Sequence, residues 1–209
     1  MNFERDLEAF AYTTFAMTAI SPEQLDDVQL VKLALEDVEY FEPLMARYER
    51  QLLRYVLRIS SFSEAEAEEI VQEVFLKTWK NLRDFDGGLK FSSWLYRIAH
   101  NETISHFRKH QVRGMDRQLH LDEDLYNSLP SELHLQDEIA KTQRNAVIQN
   151  LLQQLPEQYC DVLVLKFFED RSYEEISDIL KKPMGTVATL INRAKQQFKQ
   201  LAHDYKIAL

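Results

Sequence analysis

The sequence is poor in residues that interrupt regular structure, with four glycines and five prolines among 209 residues. Gly87-Gly88, Gly114 and Gly185 all fall between periodic segments, which keeps helix interiors free of a residue that costs about 1 kcal/mol there relative to alanine. Abundant Leu, Ala, Glu, Lys and Gln then favour helix over sheet. The single cysteine, Cys160, excludes an internal disulfide and a cysteine-rich zinc site; it reads as a buried thiol in a reducing, cytoplasmic setting. No basic region leads into the uncharged stretch from Ala9 to Ser21. Residues 1–25 therefore read as an amino-terminal extension, neither signal peptide nor membrane span, and no membrane insertion is expected.

Catalytic patterns are also missing. The six histidines, at 100, 106, 110, 120, 134 and 203, show neither HExxH nor Glu-x-x-His spacing, and no glycine-rich phosphate-binding loop occurs. Glu69 and Glu73 stand one helical turn apart, but no second pair with histidine completes a metal site. The expectation is a non-enzymatic chain without cofactor or metal.

What is present is helical periodicity in two blocks. Apolar residues recur at three- and four-residue steps through Asp26 to Leu35 and Leu44 to Ile59, with Pro43 blurring the junction. Ser63-Glu64-Ala65-Glu66 is a capping-box pattern opening a helix to about Leu82. After a loop from Asp84 to Lys90, Ser92 or Ser93 is expected to cap a helix through Lys109. Residues 26–112 thus form one domain. Residues 118 to 140 hold six acids, no Lys or Arg, and Pro130, so 113–140 reads as a flexible acidic linker. Extended, some thirty residues reach on the order of 100 Å. A second domain, 141–209, carries helices over Thr142 to Leu155, Pro156 to Phe168 with proline in the first turn, Ser172 to Leu180 and Gly185 to about Asp204. The fold class expected is all-α, two small helical domains joined by that linker.

A formal net charge of −9 argues against DNA binding until its distribution is examined. Segment 97–117 carries +3 and 181–209 carries +5, against −8 for 1–96, −6 for 118–140 and −3 for 141–180. Two basic islands in an acidic chain would bind phosphate weakly alone, which points to a partner that holds the chain on DNA.

Three constellations give those islands meaning. The run from Arg171 to Val187, a capped helix, a Pro/Gly turn and a second helix, is a helix-turn-helix pattern. Val187, Leu190, Ile191, Ala194, Phe198 and Leu201 share one face of the second helix, opposite Thr189, Asn192, Arg193, Gln196 and Lys199, with Thr186 at its start. Asn and Gln can pair with adenine, Arg with guanine, and Lys with phosphate. On the helix from Trp94 to Lys109, Arg97, Asn101, Ser105 and Arg108 line up beside Trp94, and Lys90 and Phe91 extend the basic-aromatic character. Such a stripe can follow a strand and stack on an opened base, although a core tryptophan with surface arginines has the same spacing. The helix from Glu64 to Leu82 buries Ala67, Ile70, Val71, Val74, Phe75, Thr78 and Leu82. Its opposite face sets Leu76 among Glu69, Gln72, Glu73 and Lys80, which suits either a protein partner with a basic helix or plain solvent.

Two other readings fit parts of this pattern. A conventional operator-binding regulator would use the terminal helix-turn-helix but not the Trp94 stripe. A helical metal-dependent nucleic-acid enzyme would need Glu69, Glu73 and nearby histidines as ligands.

The stretch Ala65-Glu-Ala-Glu-Glu-Ile-Val-Gln-Glu-Val-Phe-Leu-Lys-Thr-Trp, followed by Phe91-Ser-Ser-Trp-Leu-Tyr-Arg-Ile-Ala-His-Asn, resembles the second conserved region of the extracytoplasmic-function sigma factors. Leu155-Pro-Glu-Gln-Tyr and the helix-turn-helix resemble the fourth. The resemblance implies that Glu69, Gln72, Glu73, Leu76 and Lys80 meet the clamp coiled coil of the largest subunit of core RNA polymerase. It implies that the Asp84 to Phe91 loop and the Trp94 to Arg108 helix capture the minus-ten element as single strand, while the last helix reads the minus-thirty-five element as duplex. It also implies an acidic linker directed toward the polymerase active-site cleft, and an anti-sigma factor as inhibitor. One departure stands out. Where the family usually has a basic, a small polar and a basic residue, this chain has Ala188, Thr189 and Leu190, so its promoter preference is expected to differ.

Overall fold

The computed structural model describes residues 21–85, 87–112 and 145–204; residues 1–20 of the amino-terminal extension and the acidic linker lie outside these, while Pro22–Gln24 form a 3-10 turn and Leu25 is buried in the core. The described residues are helical, with three short 3-10 turns and no strand.

Local chemistry sets the helix starts. Asp26 caps α1 (Asp27–Glu36): its carboxylate accepts from the Gln29 amide at 2.8 Å, and Gln29 Oε1 accepts in return from the Asp26 amide at 2.9 Å. Asp37 ends α1 in an extended conformation and accepts from the Glu39 amide, starting a 3-10 turn that runs into α2 (Phe41–Ile59). α2 begins three residues before Leu44, because Pro43 lies in its first turn, where a missing N–H is no loss. Ser63 and Glu66 form the expected reciprocal cap of α3 (Glu64–Lys80), and Leu82–Asp84 forms a 3-10 turn after it.

α4 (Phe91–Val112) departs from expectation at its start. Ser92 and Ser93 are buried inside its first turn and do not cap it; the Trp94 amide already donates to the Lys90 carbonyl at 3.2 Å. α2, α3 and α4 pack around Leu44, Leu52, Tyr55, Val56, Ile70, Val74, Leu95 and Tyr96, all essentially without solvent contact. Each such side chain contributes roughly 1.5–3 kcal/mol.

The carboxy-terminal helices are α5 (residues 145–153), α6 (Glu157–Phe167), α7 (Tyr173–Leu180) and α8 (Met184–Asp204). Pro156 occupies the N-cap position of α6, one residue earlier than expected, because its ψ of 139° is extended. Ser172 and Glu175 repeat the reciprocal cap at α7. Leu152, Leu155, Val162, Leu165, Ile176, Ile179, Val187, Ile191 and Ala194 form their apolar interior.

The two sets of helices do not stand apart. Their buried residues form one continuous apolar cluster, with α4 packed on α7 and α2 on α6. Polar bridges cross the seam: Gln149 Nε2 donates to the Leu57 carbonyl at 2.7 Å, and Gln153 Nε2 to the Ser60 carbonyl at 3.1 Å.

Candidate nucleic-acid and polymerase interfaces

The α7–α8 pair has helix-turn-helix geometry. α7 ends at Lys181, in the left-handed region at φ 53°, and its Ser177 hydroxyl donates to the Lys182 carbonyl at 2.6 Å. The amides of Thr186 and Val187 donate to the Pro183 carbonyl at 2.8 and 3.0 Å, starting α8. Ile176 and Ile179 of α7 and Val187, Leu190, Ile191 and Ala194 of α8 are buried. That leaves Thr186, Thr189, Asn192, Arg193, Gln196 and Lys199 exposed. Thr189 Oγ1 donates to the Gly185 carbonyl at 2.9 Å, so its proton is committed and it offers a methyl group and a lone pair. Lys195, also exposed and one turn from Asn192 and Lys199, adds a cation that the sequence reading passed over. Leu190 is buried, so Thr189 alone of the departing triplet is fully open to a ligand.

On α4, Arg97 is half-buried, Asn101 and Arg108 are exposed, and Ser105 donates from Oγ to the Asn101 carbonyl at 2.8 Å. Trp94 is half-buried against Phe85 and Phe91, at ring-centroid separations of 5.6 and 5.8 Å. Phe91 itself is only 2% exposed and packs on Tyr48 and Phe85. It is therefore a core residue that supports Trp94, not a side chain open to DNA; the helix starts at Phe91, ahead of both serines expected to cap it. Phe85, which the sequence reading did not single out, supplies the outer wall of that aromatic cluster. Lys90 is exposed, and its Nζ lies 3.2 Å from Glu175 Oε1 on α7.

On α3, Glu69, Gln72, Leu76 and Lys80 all face solvent, Leu76 at 59% exposure. Glu73 is turned aside: its Oε2 pairs with His106 Nε2 at 2.9 Å, and that hydrogen bond, working against partial burial, holds its carboxyl below the usual range. Trp79, 39% exposed and against the Phe41 ring at 5.2 Å, lies one turn beyond Leu76 and widens the apolar spot.

Among the described residues no cluster of three or more His, Cys, Asp or Glu could hold a metal ion, and no helix is long and apolar enough to cross a membrane. A helix-turn-helix with an open polar face, joined to a helix bearing a basic-aromatic stripe, defines a DNA-binding protein of the transcription class. Residues 44–113 match the family model described as Sigma-70 region 2, and residues 145–198 match that of Sigma-70, region 4. The chain is 36% identical over 143 residues to the ECF RNA polymerase sigma factor SigW of Bacillus subtilis, covering 66% of this chain and 76% of that one. It is 32% identical to the RNA polymerase sigma-H factor of Pseudomonas aeruginosa, covering 83% and 92%. In fold it is similar to CnrH in its complex with the cytosolic domain of CnrY, at a TM-score of 0.61 and 23% identity over 84% of this chain and 96% of that one. It is also similar to RpoE of Bartonella quintana in complex with the anti-sigma factor NepR, at 0.58 and 22% over 78% and 96%. The chain belongs to the extracytoplasmic-function sigma factors of the sigma-70 family, the subunits that direct RNA polymerase to particular promoters.

Proposed function

We propose that this sigma factor divides promoter-directed initiation among its three exposed faces, within the cytoplasm and without a catalytic step of its own. The α3 face of Glu69, Gln72, Leu76 and Lys80, with Trp79 beside it, docks on the clamp coiled coil of the largest polymerase subunit, where carboxylates meet a basic helix around a small apolar contact. The α4 stripe of Trp94, Arg97, Asn101, Ser105 and Arg108, with Lys90, holds the minus-ten element as a single strand. Its cations follow the phosphates, and the indole offers an opened base a stacking partner. α8 enters the major groove at the minus-thirty-five element, with Asn192, Arg193 and Gln196 toward base edges and Lys195 and Lys199 toward phosphates.

The observation that carries this reading is the exposed face of α8, formed by Thr186, Thr189, Asn192, Arg193, Lys195, Gln196 and Lys199 with no acid among them, in a chain of net charge −9. Neither DNA-reading face is basic enough to bind tightly alone, so polymerase supplies much of the affinity and the faces supply selection. An anti-sigma factor that covers the α3 or α4 face is the inhibitor this arrangement accommodates. Transcription with purified core polymerase tests the reading. The chain is expected to confer initiation at a defined start site, and its failure to do so on any promoter fragment tested from its own genome rejects the assignment.

A further inference from the structure

The open side of α8 changes character along its length. Asn192, Arg193 and Gln196 present free amide and guanidinium donors in its middle turns. The stretch before them does not. Ala188 is half-buried and ends at its Cβ, and Leu190, 7% exposed, and Ile191, 1% exposed, pack inward. Thr189 is exposed, but its Oγ1 donates to the Gly185 carbonyl at 2.9 Å, one turn back on the same helix. Between Val187 and Asn192 the helix therefore offers a ligand two methyl groups and the acceptor side of one hydroxyl, with no donor and no charge.

We propose that Thr189 is a specificity-determining residue that selects one thymine of the minus-thirty-five element by contact between its methyl group and the C5 methyl of the base, with Ala188 widening the apolar spot. The inference rests on the proposed assignment of α8 to the major groove of that element. In that groove the bases differ in donors and acceptors, and the thymine methyl is the one apolar feature. Guanine shows only acceptors, N7 and O6, and would need the proton that Thr189 has given to Gly185. The hydroxyl oxygen would accept alike from the amino groups of adenine and cytosine, so it separates neither from the other. Thymine is the base that this surface complements.

The fold gives no other use for the side chain. A β-branched residue is a poorer helix former than the alanine before it, and Thr189 is exposed where packing would otherwise compensate. Its bond to Gly185 also fixes χ1, so the methyl is held in place before DNA arrives and little rotamer freedom is lost on contact. Asn192, three residues on and exposed, carries the amide that pairs bidentately with adenine. Thr189 and Asn192 together favour A·T pairs at neighbouring steps, ahead of the cation at Arg193.

Deoxyuridine keeps the pairing and O4 of thymine and lacks its methyl, which makes it the probe. The full chain with core polymerase, at limiting concentration, is tested on a synthetic promoter in which each minus-thirty-five thymine, on either strand, is replaced singly by deoxyuridine. At one position wild type is expected to initiate about fourfold less, the worth of burying one methyl-sized group. Thr189→Ser keeps a hydroxyl for Gly185 and drops the methyl. It is expected to fall by the same factor on the thymine promoter and to treat thymine and deoxyuridine alike at that position. Thr189→Val, which keeps a methyl and loses the hydroxyl, is expected to retain the preference for thymine. Wild type indifferent to every deoxyuridine, a serine variant as sensitive as wild type, or a valine variant that no longer prefers thymine overturns the proposal. Replacing the whole element with unrelated sequence separates this outcome from failure of the assignment beneath it. Initiation unchanged by that replacement overturns the α8 assignment and the thymine contact together, whereas initiation lost there but untouched by deoxyuridine overturns the thymine contact alone.

Discussion

Replacing Asp161 by asparagine is expected to remove an alkaline sensitivity of the folded chain. Asp161, on α6, faces His100 of α4 at 3.9 Å, with Tyr55 of α2, Glu157 one turn before it and Lys182 after α7 as the other ionisable groups that act on it. Burial pushes its carboxyl up from 3.8 to about 8, Glu157 adds to the rise and Lys182 opposes it. A neutral acid is therefore what the seam encloses at neutral pH, while an unfolded chain carries the carboxylate. Because the folded state binds the extra proton, stability is fully present below the ordinary carboxyl range and is lost as pH rises toward 8. His100 acts in the opposite direction: burial, with Lys182 adding to it, pushes it down from 6.5 to about 4, so its share is lost as pH falls through that window. Between about pH 4 and 6.5 the two slopes largely cancel, and above that range only Asp161 remains. From pH 7 to pH 8 the loss from this one group is about 1 kcal/mol. Urea unfolding followed by far-ultraviolet circular dichroism at those two pH values measures it. Wild type is expected to lose that amount relative to Asp161→Asn, which keeps the shape and stays neutral. A wild type that loses no more than the variant refutes the reasoning.

Other outcomes follow from the exposed faces and the caps. Leu76→Asp is expected to weaken association with core polymerase more than tenfold while leaving helicity unchanged, since the side chain is mostly exposed; undiminished co-purification rejects the α3 docking face. Arg193→Ala is expected to cost about 1–3 kcal/mol at promoters that depend on the minus-thirty-five element, and less if the guanidinium meets only phosphate. Equal initiation by the variant and the wild type at such promoters rejects a base contact. Ser172→Ala removes the acceptor for the Glu175 amide, 3.1 Å away, and is expected to cost about 1 kcal/mol, a fall of about 2–4 °C in thermal midpoint for a chain of this size. An unchanged midpoint excludes a stabilising role for that cap.

Local chemistry was legible in the sequence and distant chemistry was not. Asp26 with Gln29, Ser63 with Glu66 and Ser172 with Glu175 each declare a helix start within four residues, and all three form as reciprocal caps. The α8 face was readable because Val187, Leu190, Ile191 and Ala194 recur at helical spacing and leave one polar side over. Ser92 and Ser93 misled because serine suits an N-cap equally well as a residue one or two positions earlier or later. Here the helix starts at Phe91, ahead of both, and the Ser92 hydroxyl accepts from Arg171 instead. Glu73 looked solvent-facing because its partner His106 is 33 residues away, beyond any local pattern. Glu169 was the least legible, since a glutamate in a polar turn gives no sign of being buried, and its partners Tyr96 and Arg58 precede it by 73 and 111 residues.

Glu175 serves two structures with one carboxylate. Oε2 accepts from the Ser172 amide at 2.8 Å, closing the cap of α7, while Oε1 accepts from Lys90 at 3.2 Å. Although partial burial opposes it, those bonds hold the carboxyl below its usual range. Acid strong enough to protonate it therefore fells two supports at once, fraying the first turn of α7 and unmooring Lys90, so that a single proton carries news of one module's integrity to the other.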